Sequence, residues 1–326
     1  VRAESGGGNG GTAAIGSGRV GGNGENIQIT GGDITLKKAG ADDVGIGGNG
    51  IEIPVAATFG GSLTYLDADG NKDTTKTNIE KYGPVVNGKA VNSVNYNDIL
   101  GDGALSYDKN TNTLSLNKSY TDDNSHMGNL TIYAPKTTVD LNGGEFSVLL
   151  GKLVIEAAED VTLTSAEARA IVGDANITCA GKLRITCENI AVNGNLTVNN
   201  ASSVELIGKN DNGGTVTGAA VFNNTGEVTI QNKDATKGAA HSISYSGDYV
   251  YYTADGGALT DPRITPISAG ANYLHIVPSA LHSITVPDGC SYKVENRDDL
   301  TAAHAGQTVT VTAPDKGDHF EFAGWT

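Results

Sequence analysis

The chain has 326 residues, of which 45 are glycine and 18% are charged, with a net charge of −15 and a sequence pI near 4.7. This acidity repels nucleic acid phosphates and anionic lipid headgroups, which argues against roles on DNA, RNA or membrane surfaces. No apolar run reaches the roughly 18 residues that a membrane span requires, so membrane insertion is not expected. Abundant Gly, Asn, Thr and Val instead favour an all-β chain with many tight turns.

The first 53 residues are rich in glycine and contain Gly16-Ser-Gly18-Arg-Val-Gly21, the letter pattern of a dinucleotide-binding loop. Such a loop needs a helix after it, because the pyrophosphate lies at the helix N-terminus. Here more glycines and then a strand follow, so nucleotide binding is not expected. The segment around Ile15 recurs around Ile46, 31 residues later in the sequence. Residues 1–53 are therefore predicted to form one or two β-helical coils.

Residues 54–128 are less regular and are predicted to hold two hairpins, at 61–75 and 106–116, that lead into the rest of the chain. Acids alternate at the turn of the first hairpin and could converge on Ca²⁺. A calcium loop of the EF-hand type would need Gly at position 6 and Glu at position 12, and both are absent. A plain turn is favoured, and a metal site remains open with these ligands: Asp67, Asp69, Asn71 and Asp73.

A repeat between residues 129 and 232 organises the chain. Each unit has a short alternating strand, a polar turn and a second strand: NLTIYAPKTTVDLNG (129–143), KLVIEAAEDVTLTS (152–165), NITCAGKLRITCE (176–188), NLTVNNASSVELIG (195–208) and VFNNTGEVTIQN (221–232). The second strands start about 22 residues apart, at Val139, Val161, Leu183, Val204 and Val228. A third apolar patch follows the first four units. This pattern predicts a right-handed parallel β-helix with about three short strands per coil, which with its cap spans 129–262.

The period of two along each strand predicts which side chains face the core. Leu183, Ile185 and Cys187 should point inward and Arg184 outward. Cys179 and Cys187 are then buried small hydrophobes, with a redox pair as the alternative. Since the chain has no C-x-x-C and no cysteine–histidine cluster, a zinc site is not expected.

Acids on the outer surface raise the alternative of catalysis, because glycosidases and polysaccharide lyases use converging carboxylates. The outward acids are Glu156, Glu159, Asp160, Glu167, Asp174, Glu188 and Glu205. They form no stacked row, since Thr162, Arg184 and Glu205 occupy equivalent places on successive second strands. Arg184 and Glu205 are predicted to form a surface ion pair between adjacent coils, and no catalytic residue is predicted.

Tyrosines cluster after the repeat, in SYSGDYVYYTADGG. Alternation places Tyr249 and Tyr251 on one face of a strand and Tyr252 on the other. These rings could bind a sugar by stacking, or the strand could cap the open end of the β-helix, which is the favoured interpretation. Residues 263–326 are predicted to be a linker followed by a small β module, with Trp325 in its core.

Several stretches resemble known families. GTAAIGSG, NIQITGGDITL and VGIGGNG are similar to glycine-rich repeats of large surface proteins from anaerobic gut Gram-positive bacteria, as are YLDADGNKDT and DILGDGALSYDKNTNTLSL. Residues 283–326 resemble a divergent internalin-type B repeat through AGQTVTV (305–311) and FEFAGW (320–325), and stop where that family continues with further strands. The resemblance implies stalk or adhesion modules of an exported, wall-associated protein, as one piece of a longer multi-module chain.

We therefore expect a non-catalytic structural and adhesive protein, extracellular or wall-associated, that contacts glycans or host or bacterial surface proteins. No cofactor is expected, with Ca²⁺ at residues 67–73 left open. The alternative is a polysaccharide lyase or glycoside hydrolase built on the β-helix, which would show converging acids within about residues 140–210. A third hypothesis is a glycan-binding module that uses Tyr249 and Tyr251.

Overall fold

The structure, a computed structural model, describes residues 1–5, 13–16, 27–40, 43–48, 51–55, 59–118, 120, 128–142, 150–166, 169–209, 214–268 and 270–314. Within these ranges the chain is all β, as predicted, and contains no helix. It follows that none of these residues belongs to a helix that could span a membrane.

The glycine-rich N-terminal region forms parallel coils. Its strands are β1 (Arg2–Glu4), β2 (Ala13–Gly16), β3 (Gly31–Lys37), β4 (Val44–Gly48), β5 (Ile51–Glu52) and β6 (Gly60–Leu66). Strands β1, β3 and β6 make one parallel sheet, and β2 pairs with β4 in parallel in a second. Ile15 lies opposite Ile46, and Ile46 is buried, which confirms the predicted stacking of these two segments.

Glycine is required where these coils stack most closely. Gly16 and Gly47 are paired and have φ of 136° and 131°, a region that disfavours other residues. A Cβ on Gly16 would collide with the carbonyl of Gly47. The first glycine of the G-x-G-x-x-G pattern, Gly16, therefore serves a close contact between two backbones. Gly18 and Gly21 lie outside the described residues.

Antiparallel strands close the N-terminal end of the central solenoid. They are β7 (Lys81–Val86), β8 (Lys89–Asn92), β9 (Leu105–Asp108) and β10 (Thr113–Leu116). Strand β7 pairs antiparallel with β8, and β9 with β10, which confirms the second predicted hairpin. Three tyrosine rings pack together at this end. The centre of the Tyr82 ring lies 6.2 Å from that of Tyr96 and 5.6 Å from that of Tyr107.

Two buried amides join the N-terminal coils to the central solenoid. Asn92 Nδ2 donates to the carbonyls of Phe59 (2.6 Å) and Gly61 (2.9 Å), and Asn95 Nδ2 donates to Phe59 (3.1 Å). Phe59 belongs to the N-terminal hydrophobic core, whereas Val91, next to Asn92, belongs to the central one. The amides therefore satisfy backbone carbonyls at the boundary between two separate apolar cores.

The central solenoid is the predicted parallel β-helix. Its strands are β11 (Leu130–Tyr133), β12 (Thr138–Asn142), β13 (Leu153–Ala158), β14 (Val161–Ser165), β15 (Arg169–Ile171), β16 (Ala175–Cys179), β17 (Lys182–Cys187), β18 (Ile190–Val192), β19 (Leu196–Asn199), β20 (Ser203–Gly208), β21 (Val216–Asn223) and β22 (Glu227–Asn232). Five successive second strands, β12, β14, β17, β20 and β22, pair in parallel. The first strands form the other sheet. Strand β21 is long enough to pair with the third strand β18 at its start and with the first strand β19 at its end.

Inward side chains stack from coil to coil in the predicted register. The five predicted strand starts are direct partners, and a second row lies two residues on: Leu141, Leu163, Ile185, Leu206 and Ile230. Every member of both rows is at most 3% exposed. Fully burying one such side chain stabilises the fold by about 1.5–3 kcal/mol, so these rows are the main source of stability.

The corner after each third strand is a ladder of glycines. Gly151, Gly173, Gly194 and Gly218 follow one another on successive coils, and a Cβ on Gly194 would lie 2.6 Å from the Gly173 carbonyl. Beside them the side chains of Asp174 and Asn195 accept hydrogen bonds from the next coil's backbone. Glycine at this corner therefore lets neighbouring coils approach to strand spacing.

The C-terminal end is closed by strands and followed by two strand pairs. The elements are β23 (Ala240–Tyr245), β24 (Tyr249–Tyr252), β25 (Tyr273–Pro278), β26 (Leu281–Ser283), β27 (Ser291–Val294), β28 (Ala302–His304) and β29 (Val309–Thr312). Strand β25 pairs antiparallel with both β22 and β24, so part of the expected linker is a strand of the solenoid. Its alternating apolar residues Leu274 and Ile276 are buried in the central core, which explains the difference.

The pairs β26–β28 and β27–β29 form the small C-terminal β module. Arg263 ties it to the cap, donating to the Asp261 carboxylate and to the Ala302 carbonyl (3.1 Å), while Gln307 donates to Asp261 (2.9 Å). Trp325 and the FEFAGW segment lie outside the described residues.

Adding a methyl group to the glycine ladder should weaken the solenoid. Gly194→Ala places a Cβ against the Gly173 backbone, which cannot yield as a side chain would, and should lower the unfolding free energy by about 1–3 kcal/mol. Urea unfolding followed by circular dichroism measures the loss. Gly270→Ala is the control, because its Cβ would meet nothing closer than 3.6 Å. Equal stability of the two variants would contradict the role of the ladder.

Removing the junction amide should loosen the N-terminal coils. Asn92→Ala leaves the Gly61 carbonyl without this donor, and each buried group so orphaned costs about 1–3 kcal/mol. Hydrogen exchange should speed up in β6 more than in β17. The exposed Asn117→Ala variant should leave both exchange rates unchanged. If β6 of Asn92→Ala exchanged as slowly as β6 of the wild type, the amides would not hold the two cores together.

Candidate binding surface

The outer face of the first-strand sheet carries a ladder of amides and hydroxyls. Asn199 Nδ2 lies 3.2 Å from Asn176 Oδ1 and 3.3 Å from Thr178 Oγ1, and Asn223 Nδ2 donates to Asn199 Oδ1 at 3.0 Å. Thr197 is the direct partner of Asn176 on the next coil, so it adds a hydroxyl beside that amide. Because the coils repeat at strand spacing, about 4.8 Å, these polar groups are held at a fixed interval.

The amide ladder was not predicted from the sequence. Its signal is an outward Asn or Thr in successive first strands, which can be recognised only once the strand register is known. Asn200 and Asn224, directly after Asn199 and Asn223, have φ of 63° and 49° and turn the chain into the second strands. Asparagine tolerates this left-handed conformation, so it serves both the ladder and the corner.

The outer face of the second-strand sheet carries the predicted row of Thr162, Arg184 and Glu205. Arg184 Nε lies 2.9 Å from Glu205 Oε2, which confirms the ion pair between adjacent coils. The side chains are 56% and 44% exposed, so the pair contributes under about 1 kcal/mol and serves mainly to balance charge.

Two of the acids that raised the catalytic alternative accept hydrogen bonds from backbone amides. Asp160 Oδ1 accepts from the Lys182 amide at 2.6 Å, and Asp174 Oδ1 accepts from the Asn195 amide at 2.8 Å. Asp174 lies at an exposed position, as do Glu156, Glu159 and Glu188. Glu167 lies outside the described residues. Among the residues that the structure describes, no three His, Cys, Asp or Glu side chains converge to hold a metal.

Strand β24 presents two of its tyrosines, Tyr249 and Tyr251, to the core. Tyr251 is 2% exposed and its hydroxyl donates to the Thr265 carbonyl at 2.8 Å, while Tyr249 packs on the same core with its ring 5.2 Å from that of Tyr245. Tyr252 lies in the outer row, 5.8 Å from the His275 ring. The shared face of Tyr249 and Tyr251 thus covers the end of the aliphatic stack, and the half-buried Tyr252 is the tyrosine of the three that faces outward.

The four side chains of the candidate calcium turn do not meet at one point. Asp67 Oδ1 accepts from the Asn71 amide at 2.8 Å and so closes the predicted turn, and Asp69 is exposed at its tip. Asp73 is buried instead, with its carboxylate 3.0 Å from Lys38 Nζ and 2.6 Å from Thr75 Oγ1. These hydrogen bonds and the Lys38 charge lower the Asp73 pKa to about 2.

Cys179 and Cys187 are buried in the core as predicted, each 1% exposed. Burial raises the pKa of both thiols, that of Cys179 to about 11. The thiolate is the reactive form, so at neutral pH these residues act as small apolar side chains.

Searches for similar proteins among protein families, characterised proteins and solved structures found no match to this chain.

Replacing Asp73 tests whether its buried carboxylate stabilises the fold through the pair with Lys38. Asp73→Asn should lower the unfolding free energy near neutral pH by roughly 1–3 kcal/mol, because the buried Lys38 ammonium loses its partner. With a pKa of about 2 when folded and ~3.9 when unfolded, the stabilisation is present above about pH 4 and is lost as the pH falls towards 2.

The difference between wild type and Asp73→Asn should therefore shrink across that interval in urea titrations at several pH values. Asp69→Asn, at the exposed tip, should change stability by no more than about 0.5 kcal/mol. A stability difference that stays constant with pH would contradict the ion pair, and a large calcium-dependent gain in stability would favour the metal site.

Proposed function

We propose that this protein is a non-catalytic, exported structural and adhesive protein that contacts glycans or surface proteins of host or bacterial cells. The observation that carries the proposal is the ladder formed by Asn176, Thr178, Asn199 and Asn223 on a rigid parallel solenoid. Amides and hydroxyls both donate and accept, which matches the hydroxyl groups of sugars and the polar groups of protein surfaces.

The rigidity of the solenoid makes such weak contacts effective. Each polar contact contributes only about 0.5–1.5 kcal/mol, but side chains already fixed on a stacked sheet lose little entropy when they bind. The net charge of −15 repels polyanions, which favours neutral glycans and proteins as partners. The glycine-rich and B-repeat-like stretches support display at the cell wall, where this chain would be one part of a longer array.

The carboxylates bear on the choice between adhesion and hydrolysis. Acid–base chemistry on a glycosidic bond needs two carboxyl groups about 5–10 Å apart that are available to substrate. Asp160 and Asp174 instead accept backbone hydrogen bonds, and Glu205 is paired with Arg184. For these three acids, this use supports a binding role over a lyase or glycosidase.

The amide ladder should be required for adhesion. Truncating two members, Asn199→Ala with Asn223→Ala, should weaken binding on a glycan array or to intact cells by about tenfold, because two contacts of about 0.7 kcal/mol each are lost. The matched control is Thr164→Ala with Thr229→Ala, which truncates two outward side chains on the other sheet and should bind like the wild type. Circular dichroism melts would establish that both variants are folded.

Two outcomes would overturn the proposal. One is wild-type protein that binds no glycan and no cell surface, or that binds equally well without the ladder. The other is release of reducing ends or unsaturated sugars from a panel of polysaccharides, which would establish the enzyme alternative.

A further inference from the structure

The N-terminal coils contain a cavity of about 370 Å³ that is distinct from the solenoid surface. Its walls are mainly apolar and include Val55, Leu63, Ile79 and Val94. Leu63 and Ile79 belong to the N-terminal core, so the cavity opens from solvent into that core. This volume and lining are those of small-molecule sites, which typically measure about 300–1,000 Å³ and carry a few polar groups.

The polar groups of the cavity are organised around Glu52. Its Oε1 accepts from the Ile46 amide and the Tyr65 hydroxyl, both at 3.0 Å, and its Oε2 accepts from the Gly45 amide (3.2 Å) and Lys76 Nζ (3.0 Å). Burial opposes ionisation, but the hydrogen bonds together lower the Glu52 pKa below its usual range. Four donors fill the acceptor positions of a carboxylate, so Glu52 has no further capacity for a ligand.

Lys76 has capacity that Glu52 lacks. An ammonium has three N–H donors, and within the described residues Lys76 gives one, to Glu52. Its side chain is 28% exposed and lines the cavity together with Thr75 and Thr77. The contact with Glu52 holds the Lys76 ammonium at the cavity with donors to spare.

Charge balance limits what these donors can take. The Glu52–Lys76 pair is already neutral, so a carboxylate ligand would bring an uncompensated charge into a mainly apolar cavity of a chain with net charge −15. A cationic ligand would find the Glu52 carboxylate already saturated with hydrogen-bond donors. An uncharged acceptor oxygen meets neither penalty.

We propose that this cavity binds a small, uncharged, mainly apolar molecule that carries a carbonyl or hydroxyl oxygen, which accepts a hydrogen bond from Lys76. The apolar body of the ligand replaces water against Val55, Leu63, Ile79 and Val94. This site is independent of the amide ladder, so it stands or fails separately from adhesion.

The test uses prodan, an uncharged naphthalene ketone whose fluorescence shifts to the blue in apolar surroundings. Wild-type protein should bind it saturably. Thr77→Trp, which fills the cavity from an exposed position, should weaken binding at least tenfold. Lys76→Met should weaken it by about tenfold through loss of one charge-assisted hydrogen bond, and Lys76→Arg should restore binding.

Lys72→Met is the matched control, because Lys72 lies on the same segment but pairs with Glu80 outside the cavity. It should bind prodan like the wild type. Absence of saturable binding by the wild type, or equal binding by Thr77→Trp, would overturn the site. Tighter binding of the anionic probe 1-anilinonaphthalene-8-sulfonate, lost in Lys76→Met, would overturn the uncharged ligand class.

Discussion

The central solenoid depends on stacking the inward aliphatic side chains of one coil directly on those of the next. Val139, Val161, Leu183, Val204 and Val228 are consecutive partners, and all are buried. No single coil could bury this surface, so stability accrues only as coils are added in register. The same requirement sets the corners, because coils at strand spacing leave room for glycine alone where backbones touch.

Stacking also creates two open ends, and the chain closes both with antiparallel strands that carry tyrosine. Tyr82, Tyr96 and Tyr107 pack together at the N-terminal end, and Tyr249 and Tyr251 pack on the core at the other. Tyrosine suits this position because its ring covers apolar surface while its hydroxyl reaches a polar partner. Such caps protect the solenoid from edge-to-edge association, so the aromatic clusters have a structural purpose at both ends.

Outside the core, the repeat distributes polar groups rather than concentrating them. The register that aligns aliphatic rows inside aligns the Asn199 and Asn223 amides outside, and it places Asp160 and Asp174 where each accepts the next coil's backbone. A surface built in this way has many similar, evenly spaced contacts. One departure from this pattern is the cluster of Glu52 and Lys76, where one carboxylate orients several donors beside an apolar cavity.

The sequence by itself determined the periodic part of this protein. Spacing near 22 residues and alternation within strands predicted the coil register, the inward Leu183 and Ile185, and the Arg184–Glu205 pair, because each coil meets its neighbour at a constant separation. Tertiary structure alone decided contacts without a period. Glu52 meets Lys76 across 24 residues and Asp261 meets Gln307 across 46, while Asp73 turns inward to Lys38. Non-repeating segments meet only through the path of the folded chain, and their separations leave no pattern to recognise.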